Sequence, residues 1–227
     1  MWCVPELNAE YIERMEDVLA LYEKPHDPRE PVVCLDERPV QLHDSARPGR
    51  AAAPGKVRRE DYEYVRQGTA NVFCAVEPLA GRHFTRATAN RKAPQFAEMV
   101  ASVIRRYPRA GTIHLVVDNL STHCKKSLTD HFGEKRGSRL WARLTVHRTP
   151  KHGSWLNQAE TEISLYSRGC LGGDRVPSLA ELQQRTEAWD ARMNDERIRI
   201  QWRFGHEGAH KVRLPQITLQ AVRGLAA

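Results

Sequence analysis

The chain has no long hydrophobic run, and no stretch of its 227 residues approaches the roughly 20 apolar residues that a transmembrane helix needs. Its opening, MWCVPELNAE, also lacks the basic and apolar segments of a signal peptide. These absences argue against a membrane-spanning helix and predict a protein that works in the cytoplasm.

Cysteine is scarce and scattered. The five cysteines are odd in number and form no Cys-x-x-Cys pair. Neither a disulfide framework nor a zinc knuckle is therefore expected, and we predict reduced thiols. Cys34 and Cys74 lie in strand-like runs, where a small buried hydrophobic role is expected.

Acidic residues are outnumbered by basic ones. The chain has 28 Asp and Glu against 35 Lys and Arg, a net charge of +7, and a pI near 9.3. Such an excess of positive charge favours a polyanionic partner, with nucleic acid first. A basic protein without such a partner is the alternative at this point.

Two enzyme motifs are missing as well. In the basic segment HDSARPGRAAAPGKVRRED, Gly49 and Gly55 are one residue too far apart for a Walker loop, and Val57 stands where Ser or Thr is needed. The chain also has no G-x-S-x-G nucleophile elbow. We predict an exposed loop that contacts DNA or a second subunit, with a merely solvated loop as the alternative. Its candidate DNA-binding residues are Arg50, Lys56, Arg58 and Arg59.

Hydrophobic periodicity predicts helices and strands along most of the chain. A helix is expected over residues 8–24, capped by Asn8 and followed by a proline-rich linker. The pattern then indicates three strands, a helix, a strand, the helix STHCKKSLTDHF, a strand, the helix SWLNQAETEISLYSR and a last long helix. Hairpin-linked strands followed by strands that alternate with helices predict an α/β fold. Its mixed sheet, part antiparallel and part parallel, would be flanked by helices.

Two aspartates stand beside apolar strands. Asp36 interrupts PVVCLDERPVQL, and Asp118 ends the buried strand of HLVVDNLSTH. Catalytic and ligand groups gather at such strand ends in open α/β sheets. Aspartate there is also a common turn former or helix cap, so each position alone is weak evidence. Together the two favour a shared metal site.

A third carboxylate is expected from the helix that contains Glu160 and Glu162. At 100° per residue these two face roughly opposite sides. Glu160 shares a face with Leu156 and Ile163, so we expect it to point inward and Glu162 to face solvent. A glutamate on the buried edge of a helix is costly unless it is paired or bound to a cation. Glu160 is therefore the predicted ligand.

The runs CLDE, VVDNLSTH and TPKHGSWLNQAE, in this order, resemble the catalytic domain of bacterial insertion-sequence transposases of the mariner superfamily, closest to the insertion sequence 630 type. The resemblance covers about residues 31–204. It implies a ribonuclease-H-like fold, a D-D-E triad of Asp36, Asp118 and Glu160, and DNA strand cleavage and joining. It also implies double-stranded DNA as partner, a homodimer that joins two element ends, and a bacterial cytoplasmic location.

The resemblance also sets expectations for domains. Residues 31–204 correspond to the catalytic domain, and residues 205–227 form a C-terminal tail. Residues 1–30, an N-terminal helix and linker, look like the remnant of a region that follows a missing helix-turn-helix domain. The segment HFGEKRGSRLWAR holds the extra residues between Asp118 and Glu160. We expect a truncated enzyme without its DNA-reading domain.

Phosphodiester chemistry explains why carboxylates are needed. Two divalent ions roughly 3.5–4 Å apart can activate the attacking oxygen and stabilise the leaving oxygen. Hard Mg²⁺, or Mn²⁺ as its substitute, prefers oxygen ligands, whereas His and Cys favour zinc. The three carboxylates would therefore bind two Mg²⁺ ions.

Further residues are candidates for supporting roles. Asn119 and His123 follow Asp118 and could orient it, contact substrate, or only cap the next helix. Lys151 and His152 precede the Glu160 helix, where its N-terminus favours phosphates. Asn157 lies one turn before Glu160 and could hold its carboxylate or a DNA group.

Three other functions stay open at this point. The first is a ribonuclease-H-like nuclease that cuts without joining, because the same triad serves both reactions. The second is a DNA-binding remnant without catalysis. The third is a hydrolase with Asp118 as covalent nucleophile, which leaves Asp36 and Glu160 unexplained.

Overall fold

The computed structural model describes residues 8–57, 59, 61–202 and 204–205. Five strands form one mixed sheet in the order β3-β2-β1-β4-β5. β1, β2 and β3 pair antiparallel, whereas β4 pairs parallel with both β1 and β5. Helices pack on both faces, so the predicted fold class is confirmed. The strands are β1 Val32–Ser45, β2 Tyr64–Glu77, β3 Arg82–Thr88, β4 Ile113–Val117 and β5 Leu144–Arg148.

Six α-helices accompany the sheet in the described part of the chain. They are α1 Ala9–Tyr22, α2 Ala93–Arg106, α3 Lys125–Phe132, α4 Glu134–Trp141, α5 Ala159–Tyr166 and α6 Leu179–Glu196. Side-chain caps fix two of their starts, since Asn8 accepts from the Tyr11 N–H and Ser178 from the Glu181 N–H. None of the helices in the described ranges is long and apolar enough to cross a membrane.

Alternation along the strands sorts the core onto two faces. The odd-numbered residues Val33 and Leu35 of β1 pack against α2 and α3. The even-numbered residues face the other way. Cys34 packs with α1, and Val40 and Leu42 pack with α5 and α6. Asp36 has the even parity and therefore lies on the α1 and α5 side.

The Glu160 helix differs from its prediction. The segment expected as one helix is a short 3₁₀ turn, Ser154–Leu156, and then α5. Between them Asn157 has an extended backbone, with φ −76° and ψ 112°. The helical phase counted from Leu156 therefore does not continue into α5.

The segment with the extra residues also differs, because it contains a helix, α4, that was not assigned from the sequence. It begins after Gly133, whose φ of 82° suits glycine. Gly137 allows α4 to pack closely on α3, since a Cβ there would lie 2.5 Å from Thr129 Cα. Leu140 and Trp141 of α4 add to the core. The extra residues therefore add a helix beside α3 and enlarge the core on that face of the sheet.

Candidate active site

Strand pairing brings Asp36 and Asp118 together. β1 and β4 pair in parallel up to Cys34 and Val116. Two residues further along each strand are Asp36 and Asp118, so the two aspartates occupy equivalent positions on neighbouring strands. Neighbouring strands lie about 4.8 Å apart, which places both carboxylates in one region at the centre of the sheet.

Asp36 has an unusual carboxyl group. Burial raises its pKa to about 7, and the charges of Glu160, Glu37 and Asp118 act in the same direction, although the Glu37 N–H bonded to Asp36 opposes them. That N–H donates to Asp36 Oδ1 at 2.8 Å. A carboxyl that senses three other carboxylates lies in a crowded acidic region. A bound cation would relieve this crowding.

A buried histidine supports Asp118. His123 Nδ1 lies 2.7 Å from Asp118 Oδ1, and His123 Nε2 donates to Glu37 Oε1 at 2.7 Å. The His123 side chain is fully buried and stacks on Phe96, with ring centroids 4.5 Å apart. Burial would lower the pKa of His123, but the two carboxylates outweigh it and raise the pKa to about 9. The imidazolium therefore bridges Asp118 and Glu37, and His123 does not cap α3.

The charge of Asp118 is well stabilised. Burial would raise its pKa, but His123, the Leu120 N–H and Arg148 outweigh this and lower it. Leu120 N donates to Asp118 Oδ1 at 2.9 Å. Arg148, at the end of β5, donates from Nη1 to Asp118 O at 3.0 Å and from Nη2 to His123 O. The turn after β4 is thus held at both of its ends.

Glu160 lies in the first turn of α5 and is exposed. Partial loss of solvent raises its pKa, and the charge of Asp118 raises it further. The charge of Glu160 in turn raises the pKa of Asp36. The charge of Glu160 is thus electrostatically linked to both aspartates.

The expectation about Glu162 is wrong. Glu160 was predicted to be buried and Glu162 to face solvent, yet Glu162 is 0% exposed and Glu160 is exposed. The physical reason is the break at Asn157, because Leu156 and Glu160 do not share one helix. Glu162 instead forms a buried pair with His83, Nδ1 to Oε2 2.8 Å. The choice of Glu160 as ligand stays a prediction.

Asn157 anchors the start of α5. Its side chain is buried, its Nδ2 donates to Leu35 O at 2.9 Å, and its Oδ1 accepts from the Ala159 N–H at 3.2 Å. Leu35 precedes Asp36 on β1. Asn157 therefore ties the Glu160 helix to the strand that carries Asp36, rather than contacting the Glu160 carboxylate.

Asn119, Lys151 and His152 share a cleft with Arg14 near the end of β4. Asn119 Oδ1 accepts from Arg14 Nη1 at 2.6 Å, and Asn119 Nδ2 donates to Thr149 O at 2.7 Å. Asn119 therefore connects α1 to the end of β5 and neither orients Asp118 nor caps α3. Lys151 and His152 are exposed, and His152 has a left-handed backbone with φ 64°.

The basic loop extends the β1–β2 hairpin. Arg50 and Arg59 pair antiparallel, N to O 2.8 Å and 3.0 Å, and Ala53 pairs with Lys56. Of the four candidate DNA-binding residues, the three that the structure describes, Arg50, Lys56 and Arg59, are exposed. They lie on this arm and outside the carboxylate region. Arg58 lies outside the described residues.

Divalent metal fits the donor chemistry of the site. All three carboxylates offer the oxygen ligands that Mg²⁺ and Mn²⁺ prefer. Their mutual effect on pKa shows negative charge that a cation would offset. Within the described ranges, no group of three or more His, Cys, Asp or Glu side chains is arranged so that it could hold a metal ion without moving.

Sequence reasoning missed several residues that shape the site. They are Glu37, His83, Arg148, Glu162 and Trp189. Glu37 lies on the opposite face of β1 from Asp36, and its bond to His123 was not predicted from the sequence. The usable signal was a charged or polar residue inside an apolar strand, since such a residue needs a partner. The partners of Glu162 and Glu37, which are His83 and His123, lie 79 and 86 residues away in sequence.

The strand order and the acidic residues at the centre of the sheet define a ribonuclease-H-like fold. A family model described as DDE superfamily endonuclease matches residues 31–183, which is more than half of the chain. The chain therefore belongs to this family. No curated protein matches its sequence at a significant level.

Solved structures of the Mos1 transposase share the fold. The Mos1 mariner paired end complex with Mn aligns with a TM-score of 0.54 and 14% identity over 87% of this chain and 60% of that chain. The Mos1 strand transfer complex gives 0.56 and 15% over 87% and 59%. The mariner Mos1 paired end complex with Mg gives 0.53 and 16% over 93% and 61%. The chain thus spans about 60% of the length of the Mos1 chains it matches.

Proposed function

We propose that the chain is the catalytic domain of a bacterial transposase of the insertion sequence 630 type, and that it cleaves DNA and joins the cut end to target DNA. The observation that carries this proposal is the equivalent placement of Asp36 and Asp118 on paired parallel strands. The electrostatic coupling of Glu160 to both aspartates supports it. Structures of Mos1 in paired end and strand transfer complexes are similar in fold.

In this proposal Asp36, Asp118 and Glu160 hold two Mg²⁺ ions, with Mn²⁺ as a substitute. Bound divalent ions would supply activation of the attacking oxygen and stabilisation of the leaving oxygen. His123 and Glu37 keep the Asp118 carboxylate in place and ionised. Asn157 fixes the helix that presents Glu160.

The partner is double-stranded DNA. The exposed residues Lys151 and His152 and the basic arm offer positive charge for backbone phosphates. A homodimer would bring two element ends together. The net charge of +7 suits this partner.

The first test is calorimetric titration of Mn²⁺ into the purified chain and into Asp118→Asn. We expect binding to the wild type, and an affinity at least about 100-fold weaker in the variant, because removal of an outer-shell group alone costs 10–100-fold. Asp130→Asn is a matched control, since Asp130 is an exposed α3 residue paired with Lys126. Equal binding by Asp118→Asn and the wild type would refute the proposed site.

A second candidate is a nuclease that cuts without joining, favoured by the description of the family as endonucleases. The two functions differ in strand transfer. A labelled oligonucleotide with a free 3′ hydroxyl is incubated with the chain, a plasmid and Mn²⁺. Label joined to the plasmid supports the transposase, whereas nicked plasmid without joined label supports the nuclease.

A further inference from the structure

Arg38 lies two residues beyond Asp36 on β1 and therefore on the same face of the sheet. It is partly buried, and its Nε is buried without a hydrogen-bond partner among the described residues. In the same described ranges, no carboxylate forms an ion pair with it. Burial raises the pKa of the Cys74 thiol, the charges of Glu162 and Asp36 raise it further, and the charge of Arg38 opposes that shift. A partly buried guanidinium without an acceptor is costly, and a bound anion relieves the cost.

Arg38 lines a cleft of about 470 Å³ between the outer half of β1 and the segment that follows α5. His43 lines the same cleft and has a buried Nε2 that is also without a hydrogen-bond partner in the described part of the chain. The His43 ring packs on Tyr64, with centroids 4.3 Å apart. Asp174 adds one acidic group to the lining, but Arg185 lies 3.6 Å from its carboxylate. The cleft thus offers two unsatisfied nitrogen groups in a setting of positive charge.

An aromatic ring stands at the rim of this cleft. Tyr62 is 85% exposed, although the backbone around it is well fixed. Arg175 fixes that backbone, because its guanidinium donates to the carbonyl oxygens of Asp61 at 2.6 Å, Tyr62 at 3.1 Å and Glu63 at 2.9 Å. An exposed tyrosine on a rigid backbone is a suitable surface for stacking a nucleic-acid base.

We propose that this cleft, lined by Arg38, His43 and Tyr62, binds one strand of the DNA substrate beside the carboxylates. A backbone phosphate is bound at Arg38 and a base stacks on Tyr62. Two residues along a strand span about 7 Å, so a phosphate at Arg38 lies close to one at Asp36. The inference rests on the proposed function, because it takes DNA as the substrate. It adds the direction in which the strand leaves the carboxylates, along β1 towards the hairpin arm.

The experiment measures the binding of a fluorescein-labelled single-stranded oligonucleotide of mixed sequence to the full chain by anisotropy. EDTA is present, so binding is read without metal or cleavage. Arg38→Gln should raise the Kd about tenfold, as expected for loss of a charged hydrogen bond. It should also reduce the slope of log K against log salt by roughly 0.7, the value for one phosphate contact on a single strand. Tyr62→Ala should raise the Kd by about 5- to 100-fold through loss of stacking.

The matched control is Arg109→Gln, which makes the same charge change at an exposed position between α2 and β4. This turn lies where β4 begins, at the opposite end of the strand from Asp118. We expect it to bind as the wild type does. Thermal melting of each variant checks folding. If Arg38→Gln does not fold, Tyr62→Ala still decides the question, because its side chain is exposed.

Wild-type affinity in both Arg38→Gln and Tyr62→Ala would overturn the proposal, as would an equal loss in Arg109→Gln. If both variants keep the wild-type DNA affinity but differ from the wild type in molar mass by light scattering, the cleft binds a second copy of the chain. That result would also overturn the proposal. The result is separate from that of the metal titration. If the wild type binds no Mn²⁺ but Arg38→Gln still weakens DNA binding, the DNA-binding cleft is supported and the proposed catalytic function is refuted.

Discussion

His83 Nδ1 lies 2.8 Å from Glu162 Oε2, and neither side chain has any exposed surface. His83 Nε2 lies 3.0 Å from Ile198 O, and Trp189 Nε1 donates to Glu162 Oε1 at 3.4 Å. Both ring nitrogens of His83 face acceptors, so the doubly protonated imidazolium satisfies both. Burial would lower the pKa of His83, but the bonds with Glu162 and Ile198 outweigh it and raise the pKa. This pair connects β3, α5 and α6.

Glu162→Gln should therefore destabilise the protein. The substitution leaves the imidazolium of His83 buried without a counter-charge, and breaking a buried ion pair in this way typically costs about 3–5 kcal/mol. Urea unfolding followed by circular dichroism measures the change. An unfolding midpoint equal to that of the wild type would show that the pair contributes little to stability.

Glu160→Gln, in contrast, should leave folding stability nearly unchanged and abolish DNA nicking. Glu160 is exposed and makes no hydrogen bond or ion pair with another side chain in the described ranges, so stability should stay within about 0.5 kcal/mol of the wild type. Nicking of supercoiled plasmid in Mn²⁺ should be lost, and Asp36→Asn should behave likewise. Asp130→Asn serves as the active control. Retained nicking by Glu160→Gln would remove this residue from the proposed triad.

Folding stability should depend on pH through His123. Its pKa is about 9 in the folded chain against an ordinary value of 6.5. Because the folded pKa is raised, the stabilisation is fully present below pH 6.5 and is lost as the pH rises through about 9. The stability difference between the wild type and His123→Gln, measured by urea unfolding in EDTA, should shrink across this range. A difference that stays constant with pH would contradict a charged His123 at neutral pH.

Asn157→Ala should affect both stability and activity. It leaves the buried carbonyl of Leu35 and the Ala159 N–H without their partners, which costs about 1–3 kcal/mol for such groups. It also frees the start of α5, so Mn²⁺-dependent nicking should fall. Asn157→Asp keeps the acceptor for Ala159 but buries a carboxylate against the Leu35 carbonyl oxygen, so it should be at least as destabilising as Asn157→Ala. Equal nicking by Asn157→Ala and the wild type would show that this anchor does not position Glu160.

Local sequence patterns predicted much of the fold. The predicted cap at Asn8 is the one observed, and the alternation in β1 and the apolar run in β4 give the correct strands. The mixed sheet followed from the order of hairpins and helices. These features depend on neighbours in the chain, which a sequence displays directly.

Other features depended on contacts between distant residues. The helix break at Asn157 arises because its amide bonds to Leu35 O, 122 residues earlier. The burial of Glu162 depends on its pair with His83 of β3, which lies 79 residues earlier in the chain. Helix α4 was missed because its apolar residues Leu140 and Trp141 are few, and its packing relies on Gly137. Periodicity alone does not contain this information.

The parallel pairing of β1 with β4 also has a consequence for the order of events during synthesis. Asp36 leaves the ribosome long before Asp118, and Glu160 follows only after β5 and the anchor at Asn157 have been made. A nascent chain that ends before α5 contains both aspartates but lacks the third carboxylate. The acidic region is thus completed late, when most of the sheet is already available to hold it.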